Sequence, residues 1–249
     1  GEVAYCYRTA KSDPTIPKNF QQMLLNPEKG KWLEAIDTEM NNMISMNVWN
    51  DGDIQITLPM GERAIDSTWA FAKKREDDGA IKFKARLCGR GFREIHGIDY
   101  EEVFAPTVRQ KVVRVICSIA AHNKWELFSD DMKAAYLNVV LKEGRWIKLP
   151  DGRFVKINRA LYGLKESARL WFQMFRDFLI SINFIQSKVE PCVFTKEKLI
   201  IAIFVDDTLS TGPANDIQEF RKALHEKFRI SKDGGKCKQF ISINMDQGK

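Results

Sequence analysis

Seven consecutive apolar residues, Leu199–Val205, run directly into Asp206-Asp207. Such a run reads as a buried strand, and two adjacent carboxylates at its end repel each other while losing hydration. A fold that tolerates them needs a neutralising partner, and a hard divalent cation is the usual one. A plain strand-ending turn is the competing reading, since Asp-Asp also favours turns, and the motif alone leaves both open.

A second acidic site weights the choice towards a metal. Trp125 to Asp131 reads as a short strand ending in Asp130-Asp131, ahead of Met132-Lys133-Ala134-Ala135-Tyr136-Leu137-Asn138. One carboxylate here and a pair on a separate hairpin can converge on two metal ions, the arrangement that activates an attacking oxygen and stabilises a leaving one in phosphoryl transfer. Side chains alternate along a strand, so only one of Asp130 and Asp131 faces such a site, and spacing does not say which.

The other patterns describe an α+β chain. After a lead-in containing Pro14, Pro17, Asn26 and Pro27, the residues Trp32, Ile36, Met40 and Met43 recur at helical spacing, widened by Ala35 and Ile44. Between Trp69 and Arg86, Asp78-Gly79 separates two alternating segments, a β-hairpin signal with a basic outward face. Helices are expected from about Thr107 to His122 behind Pro106, from about Ser167 to Ile182, and from Pro213 through Ile217, Phe220, Leu224 and Phe228. The first carries Val108, Val112, Val115, Ile116 and Ile119 on one stripe; the second carries Leu170, Trp171, Met174, Phe175, Phe178 and Leu179, read as core. Pro191–Thr195, a Lys-Glu-Lys turn at 196–198 and Leu199–Val205 form a second hairpin. Neither an internal repeat nor the glycine fingerprint of a dinucleotide fold is found.

Of the 249 residues 44% are hydrophobic, enough to bury a core in one or two domains, and the net charge is +6. The basicity is local: residues 73–93 hold eight basic against three acidic side chains, and residues 139–188 ten against four. That suits contact with a phosphate backbone, although a basic run is also what a solvated face looks like. Cys6, Cys88, Cys117, Cys192 and Cys237 are scattered without a CxxC pair and read as small buried thiols, not a zinc site or disulfide framework. No apolar run reaches the roughly 18 residues of a membrane span, and Arg8, Lys11 and Asp13 interrupt any secretory signal. A soluble intracellular protein without a membrane partner is expected.

Asp131-Met132-Lys133-Ala134-Ala135-Tyr136-Leu137-Asn138, Ala160-Leu161-Tyr162-Gly163-Leu164-Lys165 with Arg169 and Trp171, and Phe204-Val205-Asp206-Asp207 resemble, in order, three motifs of the reverse transcriptases of copia-type LTR retrotransposons. Lys84-Ala85-Arg86-Leu87, Gly91-Phe92, Gly97-Ile98-Asp99-Tyr100 and Phe104-Ala105-Pro106 resemble the family's fingers region, and Lys31-Trp32 through Val48-Trp49 its lead-in, so the similarity spans about residues 31–245. The resemblance implies an α+β right-hand polymerase fold: a lead-in over 1–30, fingers over 31–125 partly interleaved with the palm, palm over 126–212, and the start of a thumb or connection over 213–249. It implies RNA-directed DNA synthesis on an RNA or DNA template, from a primer strand and dNTPs, with two Mg²⁺ ions or Mn²⁺ in their place. Other segments of a Pol polyprotein would be its neighbours, in a cytoplasmic virus-like particle or the nucleus.

Residue by residue, the resemblance makes Asp131, Asp206 and Asp207 the catalytic, metal-holding carboxylates. Tyr136 becomes the bulky gate that excludes a 2′-hydroxyl, where the residue itself reads equally as a core tyrosine. Gly163 lets backbone approach the nascent base pair. Lys73 and Arg86 contact the triphosphate, with Lys84 an equally placed alternative, and Lys165 and Arg169 lie near template or nucleotide phosphates. Against the family pattern, Glu166 and Glu94 stand where Gln is usual, Ala168 where Pro is, Val139 where Gly is, and Ile241-Ser242 replaces Leu-Gly. A carboxylate at Glu166 repels a triphosphate unless a cation neutralises it, so the rival reading is a decayed, nucleic-acid-binding remnant. A two-metal nuclease is a more distant rival. Protease, integrase and RNase H-like segments are not recognised, so the chain is expected to be a fragment or an isolated domain.

Overall fold

The computed structural model describes residues 13–50, 52–75, 79–230 and 234–247. Cys6, Arg8, Lys11 and Asp78 of the expected hairpin turn lie outside the described residues. In chain order the elements are helices α1 (Phe20–Leu24) and α2 (Lys29–Ser45), strands β1 (Ala64–Arg75) and β2 (Ile81–Gly89), a 3₁₀ turn (Gly91–Arg93), helix α3 (Gln110–Asn123), strand β3 (Leu127–Asp131), a 3₁₀ turn (Ala135–Asn138), strands β4 (Val140–Lys148) and β5 (Phe154–Arg159), and helix α4 (Ser167–Ser181). Strands β6 (Ile185–Gln186), β7 (Val193–Lys196), β8 (Leu199–Phe204) and β9 (Asp207–Thr211), helix α5 (Ala214–Lys227), and strands β10 (Gly235–Lys236), β11 (Gln239–Phe240) and β12 (Ile243–Asn244) follow. No helix among the described residues is long and apolar enough to cross a membrane.

The chain divides into two compact units, one built from residues up to Val103 together with Tyr136–Ser167, the other from Phe104–Ala135 and Ala168 onward. In this partition α3 belongs to the second unit, and β4 and β5 belong to the first.

In the first unit a four-stranded sheet has the order β2-β1-β4-β5, with β1 antiparallel to β2 and parallel to β4. Helix α2 buries Trp32, Ala35, Ile36 and Met43, and the Trp32 ring meets Phe71 and Phe83 edge-on at 5.2 and 4.6 Å. Those spacings place one apolar stripe against the hairpin. The helix ends at Asn47 (φ 54°), where the Val48 N–H donates to the Met43 carbonyl, a left-handed C-terminal cap to which Asn is suited. Strands β4 and β5 are not among the elements expected from the sequence. Their alternation is interrupted by a register shift between Val140 and Arg145 that breaks the period-2 pattern.

The second unit is a wholly antiparallel six-stranded sheet, β10-β3-β9-β8-β7-β6, accompanied by α3, α4 and α5. Helix α3 starts later than expected because Pro106 to Arg109 runs on before it, with the Val108 N–H donating to the Ile203 carbonyl. It buries Val113, Ile116 and Ala120 and leaves Val115 57% exposed. Val108 and Ile116 are buried as expected, while Val113 and Ala120 take the inward positions expected of Val112 and Ile119, because apolar side chains at adjacent positions of 112–116 leave the inward face undetermined. Trp171, Phe175 and Phe178 of α4 pack with Phe228 at centroid distances of 5.2 to 5.4 Å, the core role expected of them.

Candidate active site

The β8–β9 hairpin turns through Val205 and Asp206 between the paired residues Phe204 and Asp207. Val205 has φ 59° while Asp206 does not enter the positive-φ region, the pattern of a type II′ turn, whose first position normally takes glycine. A β-branched residue there is strained. Buried Trp171 holds it by donating its indole N–H to the Val205 carbonyl at 2.7 Å. Trp171 thus does more than fill the core, a role that helical spacing alone could not indicate.

Strand β3 lies beside β9, and the register makes Asp131 the cross-strand partner of Asp207 and Asp130 that of Thr208. Directly opposed residues project from the same face, so Asp131 and Asp207 share a face, and the Met132 N–H donates to the Asp206 carbonyl at 2.9 Å. Asp130 points the other way. Its fully buried carboxylate takes Arg221 of α5 through Nε (3.0 and 3.2 Å) and Nη2 (2.7 Å), and the guanidinium lies 5.3 Å from the Phe128 ring centroid. The choice that spacing leaves open is therefore made by Arg221, ninety-one residues away in sequence.

Burial, then the charges of Asp206 and Asp131, push the Asp207 carboxyl up to about 7. The three aspartates thus act on one another electrostatically in a setting that favours an added positive charge. Among the described residues no group of three or more His, Cys, Asp and Glu side chains stands in metal-holding geometry. The donor chemistry still fits a hard divalent cation, since all three groups are oxygen donors and Asp207 is raised by burial and then by the charges of its two acidic neighbours.

Of the residues expected on the nucleotide side, Lys73, Arg86, Tyr136, Gly163 and Lys165 fall in the first unit and Arg169 falls in the second. Hairpin pairing sets Lys74 opposite Lys82, Ala72 opposite Lys84 and Ala70 opposite Arg86, which puts Lys74, Lys82, Lys84 and Arg86 on one face. Lys73 pairs with Phe83 on the other face, where its ammonium binds Glu28 at 2.5 Å and Thr15 Oγ1 at 2.9 Å. The expected partnership of Lys73 with Arg86 is not what the register produces; Lys84, the alternative, shares the Arg86 face. Tyr136, 4% exposed, meets Tyr162 edge-on at 4.9 Å, and the Arg86 guanidinium lies 5.0 Å from the Tyr162 centroid, so Tyr162 links two expected residues and was not itself singled out.

Gly163 adopts φ +83°, and a Cβ there would come within 2.3 Å of the Gly89 carbonyl oxygen. Glycine is needed for packing of the chain against itself, before any approach to a base pair. Lys165 is exposed, with its ammonium 5.5 Å from the Tyr100 ring centroid. Glu166 is paired with Arg145, which also binds Glu94 at 3.1 Å. Val139 is buried with an ordinary backbone, so nothing there demands the family's glycine.

Residues 47–249 match the family model described as reverse transcriptase (RNA-dependent DNA polymerase). The chain is 30% identical to a retrovirus-related Pol polyprotein from transposon TNT 1-94 of Nicotiana tabacum, over 94% of this chain and 18% of that protein. It is 26% identical to the Pol polyprotein from transposon RE2 of Arabidopsis thaliana, over 91% of this chain and 16% of that one. A solved foamy viral protease-reverse transcriptase in complex with double-stranded DNA overlaps 83% of this chain and 32% of its own at 14% identity and a TM-score of 0.45. The chain thus spans under a fifth of the length of these curated relatives. With 203 of its 249 residues inside the family model and its relatives among transposon Pol polyproteins, the chain belongs to the reverse transcriptase family, in the form carried by copia-type retrotransposons.

Proposed function

We propose that the chain is an RNA-directed DNA polymerase that joins dNTPs to a primer 3′-hydroxyl on an RNA or DNA template, within a right-hand fold of fingers and palm. One observation carries the reading: Asp131 and Asp207 are opposed across β3 and β9, with Asp206 at a strained turn between β8 and β9, and burial together with the charges of Asp206 and Asp131 pushes Asp207 up to about 7. Asp131, Asp206 and Asp207 would hold two Mg²⁺ ions, or Mn²⁺, which when bound supply activation of the attacking oxygen and charge neutralisation at the leaving pyrophosphate. Arg221 keeps Asp130 out of this set, and Trp171 keeps the turn in shape.

Lys84 and Arg86, on one face of the β1–β2 hairpin, would meet the triphosphate, with Lys165 on the 160–166 segment adding a cation. Tyr136, seated on Tyr162, would exclude a ribose 2′-hydroxyl, and Gly163 would support the segment beneath the base pair. The working place would be a cytoplasmic virus-like particle, beside other Pol segments. Primer extension on an RNA template with Mg²⁺ tests the reading: wild type extends and Asp206→Asn does not. If neither extends while both bind the duplex, the chain is a binding remnant and the reading is wrong.

A further inference from the structure

Two glutamates depart from the family's Gln, and both converge on one arginine. Arg145 follows the register shift in β4, a device that re-aims side chains. Its Nη1 binds Glu94 Oε1 at 3.1 Å and its Nη2 binds Glu166 Oε1. The Glu94 side chain is fully buried, and its second oxygen accepts the backbone N–H of Lys165 at 2.6 Å. Both carboxylate oxygens of Glu94 are therefore engaged, and burial, its largest influence, raises its pKa.

The same place is stitched by backbone. Gly89 N–H donates to the Tyr162 carbonyl at 2.8 Å and Gly91 N–H to the Gly163 carbonyl at 3.1 Å. A Cβ on Gly91 would come within 2.2 Å of that carbonyl oxygen, so the two segments touch with no room for a side chain. Residues 162–166 are thus held on residues 89–94 from below by backbone and from the side by Arg145.

We infer that Arg145 is a positioning residue: its fork bridges Glu94 and Glu166, fixes the segment bearing Lys165, and neutralises the Glu166 carboxylate so that it does not repel a nucleotide triphosphate. This rests on the polymerase reading for the place of Lys165 and Glu166 beside the nucleotide. A planar guanidinium can serve two carboxylates at once, whereas an ammonium is a single point charge. Lysine at this position is therefore a poor substitute. Glutamine at both 94 and 166 would make the arginine dispensable, because neutral amides need no counter-charge.

The experiment compares wild type, Arg145→Met, Arg145→Lys and the triple variant Arg145→Met/Glu94→Gln/Glu166→Gln. Two measurements are made: single-nucleotide incorporation kinetics, and the rise in Tm caused by Mg²⁺ with dTTP. Arg145→Met and Arg145→Lys raise the dNTP KM about 10–100-fold, with kcat changed much less, and reduce the dTTP-induced Tm rise; the triple variant recovers KM to within about 3-fold. If wild type incorporates and Arg145→Met has its KM, or if the triple variant is no better than the single, the inference is overturned and the polymerase reading stands. If wild type does not incorporate but shows a dTTP-induced Tm rise that Arg145→Met loses and the triple variant recovers, the inference stands and the polymerase reading falls. A wild type with no dTTP-induced rise and no incorporation overturns both.

Discussion

Replacing Arg221 with methionine should destabilise the protein more than any other single change near the aspartates, because it strands the buried Asp130 carboxylate. The Asp130 side chain has 0% exposure and Arg221 23%, and three nitrogen-to-oxygen contacts between 2.7 and 3.2 Å join them. Methionine keeps much of the stem but strands a buried carboxylate, for which the loss is about 3–5 kcal/mol. For a chain of this size each kcal/mol moves Tm by about 2–4 °C, so the expected drop is about 6–20 °C. His225 Nε2 is 3.8 Å from the same carboxylate, so all variants are compared at one fixed pH. The control is Asp130→Leu/Arg221→Leu, in which no charge is stranded and apolar volume replaces the pair; it should lie within about 2 kcal/mol of wild type. Urea or thermal unfolding followed by circular dichroism gives both numbers. A loss under about 1 kcal/mol for Arg221→Met, or a double variant as unstable as the single, would refute the argument that a stranded charge is the cause.

Burial pushes the Glu39 carboxyl from 4.5 up to about 7, against the opposing effects of Arg86 and the Leu87 N–H. Its folded-state pKa is raised, so its contribution is fully present below about 4.5 and is lost as pH rises through about 7. At about 1.4 kcal/mol per unit, Glu39→Gln should stabilise the protein by up to about 3 kcal/mol at pH 8 and by nothing measurable at pH 4; equal effects at both would count against it. Ile241 and Ser242 both have positive φ, 46° and 61°, between the paired residues Phe240 and Ile243. Ser242→Gly should therefore raise stability by about 1 kcal/mol in chemical denaturation, and a decrease would show the turn to be unstrained. Because the register puts Lys84 with Arg86 and Lys73 with Glu28, Lys84→Ala should raise the dNTP KM and Lys73→Ala should chiefly lower Tm; the reverse pattern would contradict the facing of the hairpin.

Local signals carried the sequence reading wherever the determinant was local. The β1–β2 hairpin, α4, the β7–β8 hairpin and the Pro213-capped α5 all lie close to their expected positions, because turn residues and apolar spacing act within a few residues. A determinant that lies far away in sequence leaves no local pattern. Asp130 and Asp131 are indistinguishable by pattern until Arg221 claims one of them. Lys73 and Arg86 both look like outward cations until the pairing register separates their faces. Val205 gives no hint of a positive φ, since a β-branched residue is a poor choice for it, and the compensating hydrogen bond comes from Trp171. Glu166 looked like damage in isolation and is one arm of a charge network once Arg145 is in view.

The most direct test of the account is single-nucleotide incorporation on a primed RNA template with Mg²⁺, comparing Asp131→Asn with Asp130→Asn at a temperature where both are folded by circular dichroism. The account predicts that Asp131→Asn loses about 10³-fold or more in kcat because it removes a carboxylate placed to hold the metal, while Asp130→Asn retains turnover and loses stability. A silent Asp130→Asn beside an active Asp131→Asn would contradict it.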